Sequence, residues 1–299
     1  MKKRFIPTLI LLTGLVACGG TGNDGIVKNG VAYKDGAAAN VNSDVRQSVE
    51  GKVAKVKTTT SQKTKTVTSV TGEKQTQTES SNTNYTFDFV NETIEYRATS
   101  SSSSSGKSRT SFKAKKQSDG SFTYISGGEV VSSVLDEATL SLVYNNMKNT
   151  TIYSWSYNAD ASSILGEAGA SGSSLFAGLD LSSLTGFMNT IYANTKISGD
   201  PSTGSFEVGI EKAFDITLDL SSLLEDSEEL GEYSSMISLL GLSSIPMTIK
   251  KMKTVYKDGL IRSTVTEADY KMDMGALVLG ASATATYTSS TSYTYEMKK

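Results

Sequence analysis

Histidine is absent from this 299-residue chain, and cysteine occurs once, at Cys18. Without imidazole there is no Ser-His-Asp or Cys-His arrangement and no imidazole metal ligand, and the commonest general base is missing. One cysteine forms no disulfide within the chain, so the fold rests on packing and backbone pairing. A strong charge of either sign is also missing. The formal net charge of −2 sets up no global field that steers the chain toward nucleic acid or an anionic membrane. The N-terminal apolar run from Phe5 to Val16 is shorter than the roughly 20 residues of a spanning helix.

No complete catalytic motif takes the place of these absences. Ser105-Gly106-Lys107-Ser108 ends like a phosphate-binding loop, but Ser101 stands where the pattern needs its first glycine. The segment also leads into strand-like sequence, where a nest of amides does not form. Ser104 and Lys107 share the Ser-x-x-Lys spacing within a serine run, with no companion motif. Glu225, Asp226, Glu228 and Glu229 sit at a predicted helix start, where the dipole accounts for them. The spacing of a calcium loop is absent. No cofactor, metal or enzymatic activity is expected.

What is present begins at the first residue. Met1-Lys2-Lys3-Arg4, the apolar run and Leu15-Val16-Ala17-Cys18-Gly19-Gly20 have the layout of an export signal. The tetrapeptide Leu15-Val16-Ala17-Cys18 resembles the lipobox of bacterial lipoproteins. The resemblance implies a signal peptide over 1–17, cut before Cys18, and acyl chains such as palmitate carried on the Cys18 thiol. Two acyl chains anchor stably where one is marginal. The implied place is the cell envelope, with the membrane as partner through Cys18 and no nucleic acid; protein partners are open. The glycine-rich start of 18–41 suggests a flexible tether. Residues 42–299 are expected to form a single β-rich domain.

Within that domain, alternation dominates. Tyr85, Phe87 and Phe89 share one face, as do Ile94, Tyr96 and Ala98, then Phe206, Val208 and Ile210. A long last strand places Ala281, Ala283, Ala285, Tyr287, Tyr293, Tyr295 and Met297 on one face. Thr71-Gly72, Asp119-Gly120 and Asp258-Gly259 predict hairpin turns. Ser100 to Ser105 predicts a solvated loop between two strands, with an extended exposed edge as the alternative that serine also permits. Spacing of three to four predicts helices near Val45–Val53, over 129–146, over Leu181–Ile191 and over Leu223–Leu240. Thr150 to Tyr157 predicts a strand, and Leu179–Leu184 recurs as Leu218–Leu223.

These elements predict an α+β fold: a large curved antiparallel sheet, or half-barrel, with helices packed on its concave face. That outline resembles the LolA/LppX group of lipoprotein carriers and lipid-binding lipoproteins, in arrangement and without a residue motif. The resemblance implies a non-enzymatic protein that holds a lipid or acyl chain between sheet and helices. Tyr85, Phe87, Phe89, Leu184, Phe187, Ile191, Tyr233, Ile237, Tyr287, Tyr293 and Tyr295 are the candidate lining. Tyrosine on a half-buried strand is equally a core residue. The alternative is a structural or adhesive surface lipoprotein with a packed core and no ligand. A carrier should enclose an apolar cavity of about 300–1,000 Å³; a scaffold should not.

Overall fold

A computed structural model describes residues 26–28, 31–33, 51–104, 106–128, 140–141, 143–145, 147–148, 190, 194–200, 203–219, 244–273 and 281–299. Cys18, Leu184, Phe187, Ile191, Tyr233, Ile237, the expected strand at 150–157 and most of the expected helices lie outside them. Thr, Val and aromatic residues at alternate positions favour pleated backbone, and the strands they form are long. Thirteen are present among the described residues: β1 (Ile26–Lys28), β2 (Val31–Tyr33), β3 (Val53–Val70), β4 (Glu73–Asp88), β5 (Thr93–Ser102), β6 (Gly106–Lys116), β7 (Phe122–Ser126), β8 (Thr195–Asp200), β9 (Ser205–Ile210), β10 (Phe214–Asp219), β11 (Ser244–Lys257), β12 (Leu260–Asp273) and β13 (Ser282–Met297).

They form one sheet in the order β2-β1-β8-β9-β11-β12-β13-β3-β4-β5-β6-β7, with β10 also on β11. Two meanders, β3–β7 and β11–β13, meet where β13 pairs antiparallel with β3, from Ser282↔Ser69 to Met297↔Val53. The outer edge of β11 is shared. Ser244–Ile249 pairs with β10 and Lys253–Tyr256 with β9. The single parallel contact among these pairings joins β1 to β8 at Lys28↔Ile197. The segment expected to be a tether therefore contains two short strands.

The expected α+β fold with a helical layer does not hold. The described chain is nearly all antiparallel sheet, and its main helical stretch lies between residues 140 and 148. The cause is strand length: β3 has 18 residues and β4 and β13 have 16 each, so backbone pairing organises the molecule. Val53, placed in a helix by its spacing from Val45 and Val49, opens β3 instead. The serine run is a loop only in part: Ser103 and Ser104 form a turn, and the residues before them are strand. β5 continues to Ser102, with Ser100↔Ser108 and Ser102↔Gly106 in register. Hydroxyls bridge the strands there, Ser100 to Ser108 at 2.6 Å and Ser80 to Ser101 at 2.8 Å.

The predicted hairpin turns are present. Thr71 and Gly72 have φ of 51° and 89°, and Asp258 and Gly259 have 55° and 75°. Positive φ at both central residues gives the twist that two-residue hairpins need.

The core lies on one face of the sheet. Phe87, Ile94, Phe112, Ala114 and Phe122 from β4–β7 pack against Leu140 and Tyr144 of the helical stretch. Val53, Val56 and Leu260 form a second cluster, joined to the first by Phe89 and Met147. Further along β3 the same face turns polar: Thr60 meets Thr291 at 2.9 Å, and Gln62 donates to the Tyr287 hydroxyl at 3.1 Å. Ala283, Ala285, Tyr287, Ala268 and Tyr270 then restore an apolar surface on β12 and β13.

Candidate functional site: a cleft across β10–β13

The described aromatic residues of the expected lining fall in three places. Tyr85, Phe87 and Phe89 belong to a ring cluster. Tyr85 lies 5.5 Å from Phe87 and 4.7 Å from Tyr96, and Tyr96 lies 4.9 Å from Phe112. Tyr144 caps this cluster, 5.4 Å from Phe89 and 4.9 Å from Phe122. Burial raises the Tyr85 hydroxyl above its ordinary value, and Tyr96 and Tyr124 add to the shift. The Tyr144 hydroxyl is pushed up to about 12, by burial first and then by Glu92 and Asp88. Tyr293 and Tyr295 pack beside Val53, Val56 and Leu260. The Tyr295 hydroxyl donates to the Ile261 carbonyl at 2.7 Å, and Arg262 lies over its ring at 5.3 Å. Tyr287 stands apart, 6.5 Å from Tyr270. The structure thus does not gather Tyr85, Phe87, Phe89, Tyr287, Tyr293 and Tyr295 around one space.

A cleft of about 800 Å³ lies near the Tyr270–Tyr287 end. Residues of both sheet faces line it. Ile216, Met247, Tyr270 and Ala285 are buried and apolar, while Asp215, Thr248, Asp269, Lys271 and Thr286 alternate with them. Register explains the polar set. Asp215 is opposite Thr248, Thr248 opposite Asp269, and Asp269 opposite Thr286. Four strands thereby place one transverse row. Thr248 donates to Asp215 at 2.6 Å, and Thr286 to Asp269 at 2.9 Å.

A register shift between Ile249 and Lys251 leaves Lys250 as the extra residue of β11. Such a bulge re-aims a side chain; here the Lys250 ammonium reaches Asp269 at 2.6 Å. That contact, with the Thr286 hydroxyl, holds the Asp269 carboxyl below the usual carboxylate range against the opposing effect of burial. Asp269 raises Lys250 in return. Burial raises the Tyr270 hydroxyl, with Tyr287 adding to it. Among the described residues no group of three His, Cys, Asp or Glu side chains could hold a metal ion. The cleft offers fixed charges, hydroxyls and an apolar strip, which suits binding.

Sequence reading missed this row. Asp215, Thr248, Asp269 and Thr286 come from four strands, and only their alternation within Asp-x-Thr, Asp-x-Lys and Thr-x-Thr was legible.

No family model matches the chain, and no curated protein matches it. Among solved structures, it is similar to a β-barrel-like protein of domain of unknown function DUF1849 from Brucella abortus. The identity is 10%, the alignment covers 83% of this chain and 99% of that one, and the TM-score is 0.19. It is also similar to a DUF1329 family protein from Desulfovibrio piger ATCC 29098, at 6% identity, 87% and 92% coverage and a TM-score of 0.15. A third is the COG4313 outer membrane channel from Pseudomonas putida F1, at 7% identity, 81% and 96% coverage and a TM-score of 0.15. Scores this low carry no argument about this chain.

Proposed function

We propose that this chain is a lipid-anchored lipoprotein of the bacterial cell envelope that binds an amphipathic, lipid-like ligand in the β10–β13 cleft without catalysis. The anchor is the Cys18 thiol, as the resemblance of Leu15-Val16-Ala17-Cys18 to a lipobox implies. The observation that carries the ligand is the two-sided lining of the cleft. Ile216, Met247, Tyr270 and Ala285 suit an acyl segment, and Asp215, Thr248, Asp269 and Lys271 suit a polar head. The volume of about 800 Å³ lies within the range of small-molecule sites, about 300–1,000 Å³. Apolar burial contributes about 25 cal/mol per Å² before the costs of binding.

A second reading, a scaffold with no ligand, is favoured by the ring packing of Tyr85, Phe87, Tyr96, Phe112 and Phe122, which fills the β4–β7 end of the sheet. The two readings part at β13. Ala285→Trp places a large ring in the cleft. For a ligand-binding protein, it should reduce binding of a fluorescent fatty acid at least tenfold, read well below the variant's own unfolding midpoint, which the crowding of a buried site lowers. Equal fatty-acid binding by both proteins, or none by either, rules the ligand out. The anchor is tested separately, by labelled palmitate fed to the expressing bacterium. Label should enter the unaltered protein and be lost in Cys18→Ser.

A further inference from the structure

The polar face of β3–β6 concentrates positive charge that the net charge of −2 conceals. Pleating sets which residues share it. Register aligns Lys63–Ser80–Ser101–Lys107 across the four strands, then Ser61–Asn82–Thr99–Arg109, then Thr59–Asn84–Arg97–Ser111. Lys57 and Lys65 lie on the same face of β3. Acids on this face are few and matched. Glu95 holds Lys113 at 2.8 Å, and Asp88 holds Lys55 at 3.4 Å. Lys57, Lys63, Lys65, Arg97, Lys107 and Arg109 are all exposed and make no ion pair among the described residues. Between them the polar groups are engaged with one another, Thr59 with Asn84 at 2.9 Å and Ser61 with Asn82 at 2.7 Å. The cations are left as the groups without a counter-charge.

Their layout is two-dimensional. Lys57 to Lys65 spans roughly 26 Å along the strand, and β3 to β6 roughly 14 Å across, from the ordinary rise and spacing of strands. The charges occupy three strands and stand at several levels along them. A linear polyanion would be met by a single file or a groove; a broad array matches a broad anionic plane. A lipid-facing strand surface, by contrast, needs an apolar band, and lysine and arginine occupy the middle of this face. We propose that the polar face of β3–β6 docks on the anionic surface of a lipid bilayer, its lysines and arginines meeting headgroup phosphates.

The test uses the full chain carrying Cys18→Ser, so that no acyl group assists. It is sedimented with vesicles of mixed phosphatidylglycerol and phosphatidylcholine, and with vesicles of phosphatidylcholine alone. Binding is expected to the anionic vesicles only, and it should fall as salt rises. The triple change Lys63→Gln, Lys65→Gln, Arg109→Gln should weaken it roughly a hundredfold, at about fivefold for each cation near such a surface. The three positions are exposed, so an unchanged unfolding midpoint checks that the variant folds. A control of equal charge, Lys148→Gln, Lys298→Gln, Lys299→Gln, should bind as before. Equal binding to both vesicle types overturns the proposal. So does undiminished binding by the first variant, equal loss in the control, or capture by dextran sulfate in preference to vesicles. With Cys18 replaced and the cleft untouched, a failure here bears on this face alone and leaves the anchor and the cleft ligand standing.

Discussion

Asp88 closes β4 with its carboxylate turned back onto the β4–β5 connection. One oxygen accepts from the Val90 and Asn91 amides at 3.0 and 2.9 Å, and the other from the Asn91 side chain at 2.8 Å. Lys55 stands 3.4 Å away. Burial acts to raise this carboxyl, but the hydrogen bonds from Asn91 and Val90, with the Lys55 charge, outweigh it. Its pKa therefore lies below the usual carboxylate range. A lowered folded value means that the charged form stabilises the fold fully above the unfolded pKa of about 4. That stability is lost as pH falls through the folded value. Asp88→Ala should cost about 1–3 kcal/mol at pH 7, because two backbone amides lose their acceptor. In urea titrations the gap between Asp88→Ala and the unaltered chain should narrow at the acid end; a gap that stays constant with pH would show that the carboxylate charge is not involved. An aspartate ahead of a turn is a known local acceptor, so this role was open to sequence reading. The Lys250–Asp269 pair was not, because it depends on a bulge.

At the scale of elements, the strongest local requirement sits after β7. Gly127 has φ of +73°, and a Cβ there would meet the Ser111 carbonyl of β6 at 2.2 Å. Gly127→Ala therefore meets both backbone strain and a backbone clash. It should lower stability by roughly 1–3 kcal/mol, read as a fall in the unfolding midpoint; a midpoint equal to that of the unaltered chain would mean that β6 and β7 separate freely. The hairpins were legible because the Thr71-Gly72 and Asp258-Gly259 pairs act locally. The extent of β5 was not. Ser100–Ser102 has the composition of a loop and becomes strand only because Ser80 and Ser108 stand opposite with hydroxyls to share. The alternation of Phe206, Val208 and Ile210 belongs to β9, and a second strand, β10, follows it; both are laid along β11. Alternation predicts strand there but cannot show that the edge of one partner is divided.

Across the whole molecule, the side of each residue was legible and its neighbours were not. Alternation placed Tyr85, Phe87, Ala285 and Tyr287 on apolar faces, and these positions hold. Only register, however, decides that Tyr85 meets Tyr96 while Tyr287 meets Tyr270. The same holds for the cleft row and for the cationic face. Thr288 lies at the junction of the two meanders, opposite Glu267 on one side and Lys63 on the other. Thr288→Pro removes an amide from the interior of the sheet. It should cost about 2 kcal/mol or more as ladder partners lose their bonds. Limited proteolysis should then release fragments divided between 51–128 and the C-terminal strands, whereas an unchanged digestion pattern would show that the two meanders hold together without β13. The order of the strands has a consequence for folding during synthesis. Synthesis from the N-terminus delivers β3–β7 and then β11 and β12 before β13 emerges. Until then the two halves have no shared strand, and the facing edges of β3 and β12 stay bare. Completion of this sheet is thus a late event of synthesis, and anything that binds the unfinished chain would find its target in those two waiting edges.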